Sequence, residues 1–177
     1  VRPVWPRNVR ELLLGKKAKK LIIMSGTILD HEFFADFMGL GNHHYIKLPW
    51  TFPLESRPIY YRPAAEVTRR NVAAAVPSLA SIVDYILDTH KGEKGVVHCR
   101  SFNLGYEVAR LMKNQARVIL HERGVDRTRI VEQFKQETTD RWLISPSVSH
   151  GEDFAYDVAR CQIILKIPFG DLSDQVT

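Results

Sequence analysis

Apolar residues fall along the chain in two rhythms, short runs closed by polar turns and longer stretches with one greasy face, and each rhythm predicts a different element. After a lysine-rich opening, 21–24 reads as a short buried strand that stops at Ser25-Gly26-Thr27. Asp30 is placed to cap a helix over 31–38, with Phe33, Phe34 and Phe37 on one face. Residues 39–58 carry no period and are rich in aromatics and proline, and 59–62 reads as another short strand. From there the pattern alternates. A helix is expected over 77–89 with Pro77 in its first turn, then a strand at 95–99 and a helix at 102–114. A strand at 117–121, a helix at 126–136, a strand at 141–145 and a last strand at 162–167, ended by Pro168, complete the reading.

Strands rich in Val, Ile and Leu, separated by helices, indicate βαβ units and a parallel sheet covered on both faces. Ligands of such sheets sit at the carboxyl ends of the strands. Those ends are 25–27, 98–103, 121–124 and 145–153. No internal repeat is visible.

Composition narrows the class. The chain has 177 residues, 45% hydrophobic and 25% charged, enough apolar surface to offset the entropy of ordering. Glycine (10) and proline (9) are scattered without a period, which excludes a collagenous fibre. Unbroken apolar runs fall far short of the roughly 20 residues of a bilayer span. The charged, proline-interrupted opening does not read as a secretory signal. The expectation is a soluble, intracellular chain with no membrane partner. Two cysteines, Cys99 and Cys161, are too few for a disulfide framework or a four-thiolate metal site and read as buried free thiols. A net charge of +5 permits phosphate-backbone binding without demonstrating it.

Several chemistries can be weighed directly. His98-Cys99 at the end of a strand resembles the way cysteine phosphatases present a thiolate, but that chemistry needs an Arg six residues on, and the position is Gly105. His43 and His44 have no helical partner and no HExxH surrounds them, so they read as surface histidines. There is no GxxxxGK[ST], and Gly15-Lys16-Lys17 lacks both the upstream glycine and the hydroxyl; nor is there a DExH box. A complete ATP site is therefore absent from these residues. What remains are polar turns after strands, at 25–27, 101–103 and 145–153. Any one of them reads as a helix cap. Three on one edge of a parallel sheet, in a basic chain, favour an extended phosphate ligand.

In their order, the motifs resemble the second motor half of superfamily 2 helicases of the XPD/DinG type, over about Lys20 to Gln175. LIIMSGTILD is similar to motif III, and LPWTFPLESRPIYYRP to the passage entering the second RecA-like domain. GVVHCRSFNLGYEVARLM resembles motif IV, with Ser101-Phe102 where a Ser-Tyr pair is usual, and RTRIVEQFK resembles the following helix. LISPSVSHGEDFAYDVARCQIILKIPFGDLSDQ is similar to motif V, although the family's Glu-Gly-x-Asp reads His150-Gly151-Glu152-Asp153. Motif VI would lie beyond Thr177.

The resemblance implies an α/β fold, a RecA-like (P-loop NTPase-type) parallel sheet with helices on both faces. It implies that 1–55 is the end of a first motor domain with its connecting segment. Residues 56–177 would then be a second motor domain, incomplete at its C-terminus. The intact enzyme would be an ATP-dependent DNA helicase using ATP and Mg2+, with an iron–sulfur insertion in the missing first domain of many members. This chain alone would bind no cofactor and would be inactive. Ser25, Gly26 and Thr27 would couple the ATP state to the DNA grip. Arg100, Ser101, Asn103, Ser145 and Ser147 would contact single-stranded DNA, and Gly151 and Asp153 would face the nucleotide. Its partners would be single-stranded DNA and the first motor domain, its location cytoplasmic or nucleoid-associated, or nuclear in a eukaryote. The alternative is a non-catalytic α/β module that binds nucleic acid or protein.

Overall fold

The computed structural model describes residues 19–49, 51–56, 58–68, 70–148 and 152–167. They belong to two compact units, one reaching Ile59 and one starting at Tyr60.

In the first unit, helix α1 (His31–Met38) begins as expected: the Asp30 carboxylate accepts the Phe33 N–H at 3.0 Å. It ends at Gly39, whose φ of 64° lets the Leu40 N–H turn back to the Ala35 carbonyl at 2.8 Å. The expected strand at 21–24 does not form, and Ile22 and Met24 are 83% and 88% exposed. The expected strand at 59–62 is likewise extended chain, with Ile59, Tyr60 and Tyr61 exposed. A strand exists only where a neighbour takes its backbone hydrogen bonds. Among the described residues every paired strand lies from Gly95 onward.

The second unit holds strands β1 (Gly95–His98), β2 (Val118–Leu120), β3 (Trp142–Ser145) and β4 (Cys161–Ile164). They are parallel, in the order β2-β3-β1-β4. Helices α2 (Val72–Thr89), α3 (Phe102–Leu111) and α4 (Arg127–Gln136) cover both faces. The α/β expectation is met, and a period of two along the central strands explains it. Val97 and Ile144, paired in register, face α2 and α3; Val96 and Leu143, one residue back, face α4. The crossover through α3 runs from β1 out to β2, and the one through α4 runs back to β3. Right-handed connections in opposite directions must lie on opposite faces.

Helix α2 starts at Val72, so Pro77 lies inside it rather than in its first turn. The Ala-rich segment ahead of the proline has strong helix propensity, and Ala75 and Val76 are buried, which favours the longer helix over the single backbone bond that proline forfeits. At 18 residues α2 is long and apolar enough to cross a bilayer, yet Val83 and Leu87 are wholly buried against the sheet side of this unit. Helix α3 stops at Leu111, three residues before the expected end. The buried Asp84 carboxylate accepts the N–H groups of Lys113 and Asn114 at 2.7 and 3.0 Å and draws the chain out of the helix.

One side chain locks the end of a helix, and one glycine lets a helix approach the sheet. Lys94 donates to the carbonyl oxygens of Phe134 and Glu137, both at 2.7 Å, at the C-terminus of α4. Burial pushes its pKa down, with Glu137 opposing the shift. Helix α3 lies so close to β1 that a Cβ on Gly105 would stand 2.8 Å from the Cys99 sulfur and 3.2 Å from a methyl of Ile144.

Gly105→Ala should therefore lower stability by about 1–3 kcal/mol through overpacking. Thermal unfolding of the variant beside the wild type reads this as a lower Tm, and an unchanged Tm would refute the close-packing account.

Candidate functional site

Neighbouring strands β1 and β3 send their following connections to opposite faces, so their carboxyl ends form the switch point of the sheet. Three loops meet this edge. After β1 comes Cys99, buried beneath α3. Burial pushes its thiol up to about 12, with nearby backbone hydrogen bonds pulling the other way. Such a thiol is no nucleophile at neutral pH, in agreement with the missing arginine. Arg100, Ser101 and Asn103 are exposed. The Ser101 hydroxyl accepts the Leu104 N–H at 3.2 Å and caps α3.

After β2 comes His121, 3% exposed. Its Nε2 faces the Val125 carbonyl at 3.1 Å and, because a carbonyl only accepts, carries the proton. Its Nδ1 lies 2.8 Å from the Ser145 hydroxyl and 3.2 Å from that of Ser147. The Phe102 ring stands edge-on to the imidazole, with centroids 5.2 Å apart.

After β3 comes a loop that is tied down repeatedly. Ser145, expected to contact nucleic acid, is 1% exposed, and its hydroxyl is engaged by His121 and by the Ser147 N–H at 3.2 Å. Ser147 is half-buried, and its carbonyl accepts from Arg127 Nε at 2.9 Å. Arg127 also pairs with Glu152 at 3.0 Å, and Lys135 reaches the same carboxylate at 3.4 Å. Phe154 packs edge-on to Phe134, centroids 5.8 Å apart. Asp153, between these two anchored neighbours, is exposed and has no hydrogen bond or ion pair among the described residues. It caps no described helix: the short 3-10 turn Tyr156–Val158 begins from Ala155. Gly151, with His150, lies outside the described residues.

The expected residues thus divide. Arg100, Asn103 and Ser147 reach the surface around the switch point, Asp153 is exposed alongside α4, between Glu152 and Phe154, Ser101 caps a helix, and Ser145 works from beneath. Ser25, Gly26 and Thr27 lie in the first unit as an exposed turn, in which the Thr27 N–H donates to the Ser25 hydroxyl at 3.2 Å. His43 and His44 are exposed, as expected. Sequence reasoning named the carboxyl end at 121–124 but singled out no residue there. It overlooked His121, Arg127 and Glu152; a lone histidine closing an apolar strand, with serines closing the next, was the available signal.

The sequence model of a family described as helicase C-terminal domain matches residues 83–177, more than half of the chain. The matched stretch takes in all four strands and the edge residues from Arg100 onward, and leaves 25–27 outside. No curated protein and no solved structure matches the chain.

Two outcomes follow from the buried groups. The Cys99 thiol keeps its proton when the unfolded thiol, near 9, has lost its own. The unfolded state then binds fewer protons, so this contribution is intact below pH 9 and drains away toward pH 12, by up to about 1.4 kcal/mol per pH unit. Denaturant melts of wild type and Cys99→Ala across that range should converge as pH rises, and parallel curves would contradict it. His121→Ala should cost about 1–3 kcal/mol by leaving the Ser145 hydroxyl without its ring partner, measured the same way at pH 7.

Proposed function

Because the chain belongs to the helicase C-terminal domain family, we propose that its second unit is the second RecA-like motor domain of an ATP-dependent DNA helicase of the XPD/DinG type, and that its sheet edge grips single-stranded DNA. The observation that carries the reading is the meeting of three strand-end loops at the switch point, presenting Arg100, Asn103 and the Ser147 hydroxyl while Ser145 and His121 brace Ser147 from below. Groups of this kind hold phosphates and sugars and read no base edges.

In this reading Arg100 neutralises a backbone phosphate, and Asn103 and Ser147 donate to phosphate oxygens. Ser101 fixes the start of α3, and Ser145 sets the position of Ser147. Gly151 and Asp153 face the nucleotide, and Asp153 suits that place because it is exposed and uncommitted. Ser25, Gly26 and Thr27 relay the nucleotide state to the grip.

ATP with Mg2+ supplies the energy of the intact enzyme. The 177 residues contain no phosphate-cradling GxxxxGK[ST] and no DExH carboxylates. The ATP-binding chemistry therefore belongs chiefly to a first motor domain, the proposed partner, and in many members that domain carries an iron–sulfur insertion. Phosphoryl transfer rests on positioning and charge neutralisation that this chain supplies only in part.

The test is a fluorescence-anisotropy titration of labelled oligothymidylate with the purified chain at several salt concentrations. The expected result is weak, sequence-tolerant binding that falls as salt rises, with Arg100→Ala weaker on every sequence and its salt slope shallower by about one. The chain alone should show no DNA-stimulated ATP hydrolysis. Binding indifferent to salt, or none at low salt, would return the chain to the non-catalytic module.

A further inference from the structure

Arg123 belongs to none of the expected motifs, yet, unlike Arg62, which rests on Tyr85 in the same way at 5.7 Å, it stands beside the carboxyl ends of the strands. Arg110, Arg117 and Arg160 each end on a carboxylate, at 2.9, 3.0 and 2.7 Å. Arg123 is exposed and has no carboxylate partner among the described residues. Instead its guanidinium carbon stands 5.8 Å from the centre of the Phe102 ring. That ring is itself held edge-on by His121, and His121 is held on one side by the Val125 carbonyl and on the other by the two serine hydroxyls. A cation resting on an aromatic ring, braced in turn by a buried imidazole, has lost part of its rotational freedom before any ligand arrives.

The acids nearby do not claim it. The Asp126 carboxylate accepts the Arg129 N–H at 3.0 Å as the cap of α4, and Glu122 is exposed with no ion pair among the described residues. A planar guanidinium fixed at the carboxyl edge, linked through His121 to Ser147, matches the charge and fork geometry of a phosphodiester.

We infer that Arg123, seated on Phe102, is a contact for the phosphodiester backbone of a single-stranded nucleic acid. This deepens the reading of the sheet edge as the strand-binding edge and rests on it. Phe102 and His121 are positioning residues: neither need touch the strand, and both set where the guanidinium stands. Because the contact is to phosphate, it serves every base alike.

The experiment titrates fluorescein-labelled oligothymidylate and mixed-sequence DNA with wild type, Arg123→Ala, Arg123→Lys, Phe102→Leu and Arg100→Ala, each across a salt series. Arg123→Ala should weaken binding by about threefold to tenfold on both probes and lower the slope of log affinity against log salt by about one. Arg123→Lys keeps the charge and should restore the slope, with affinity between alanine and wild type. Phe102→Leu should keep the wild-type slope while losing affinity, a split that a merely destabilised protein would not produce. Melting curves guard this arm: if Phe102→Leu unfolds, the two Arg123 variants, on an exposed side chain, decide the matter alone. Should Arg123→Ala bind with wild-type affinity and slope while Arg100→Ala is weakened, the inference falls and the strand-binding edge stands. Should wild type show no salt-dependent binding, both fall.

Discussion

The central pair of strands must bury both of its faces, and the geometry of the functional edge descends from that demand. All four residues of β3 are buried, as are three of the four in β1. Val97 and Ile144 go to one core and Val96 and Leu143 to the other, so a register slip of one residue would exchange the two cores wholesale. Connections can therefore leave these strands only at their tips. One climbs to the face of α3 and the other to the face of α4. Between the departing chains opens the cleft edge where Arg100 and Ser147 stand.

What the edge needs next is stiffness, and magnitude separates the interactions that supply it from those that do not. Arg160 and Asp157 meet at 2.7 Å, but with side chains 59% and 82% exposed their pairing is worth little. Glu152, only 15% exposed and shared by Arg127 and Lys135, is a different matter, since removing a partner strands a charge that water barely reaches. Together with the bond from Arg127 to the Ser147 carbonyl and the packing of Phe154 on Phe134, it pins the loop on both sides of Asp153.

How legible was this beforehand? The strands and helices of the second unit were readable because two-sided burial writes itself as adjacent apolar residues closed by polar ones, as at Val96-Val97 and Trp142-Leu143-Ile144. The same signal misled at 21–24 and 59–62. An apolar run states that a segment wants a partner; it does not supply one, and Ile22 and Tyr61 stand exposed. Pro77 misled differently, because a local rule about where proline begins helices yielded to the tertiary burial of Ala75 and Val76. At the edge, Arg100 and Asn103 were readable from their place after a strand. His121 was not, because its role depends on Ser145 and Ser147, and their distance in sequence hides a hydrogen-bonded triangle.

Arg127 has one more consequence, a mechanical one. It sits in the first turn of α4 and grips, among other groups, the Ser147 carbonyl and the Glu152 carboxylate. Arg127 thereby ties Ser147 and Glu152 to one helix. That helix is in turn seated on the sheet through Ile130, Val131 and Phe134. A displacement of Ser147 and a displacement of Glu152 would therefore press on the same helix. In that sense the edge behaves as the end of a lever whose arm is α4.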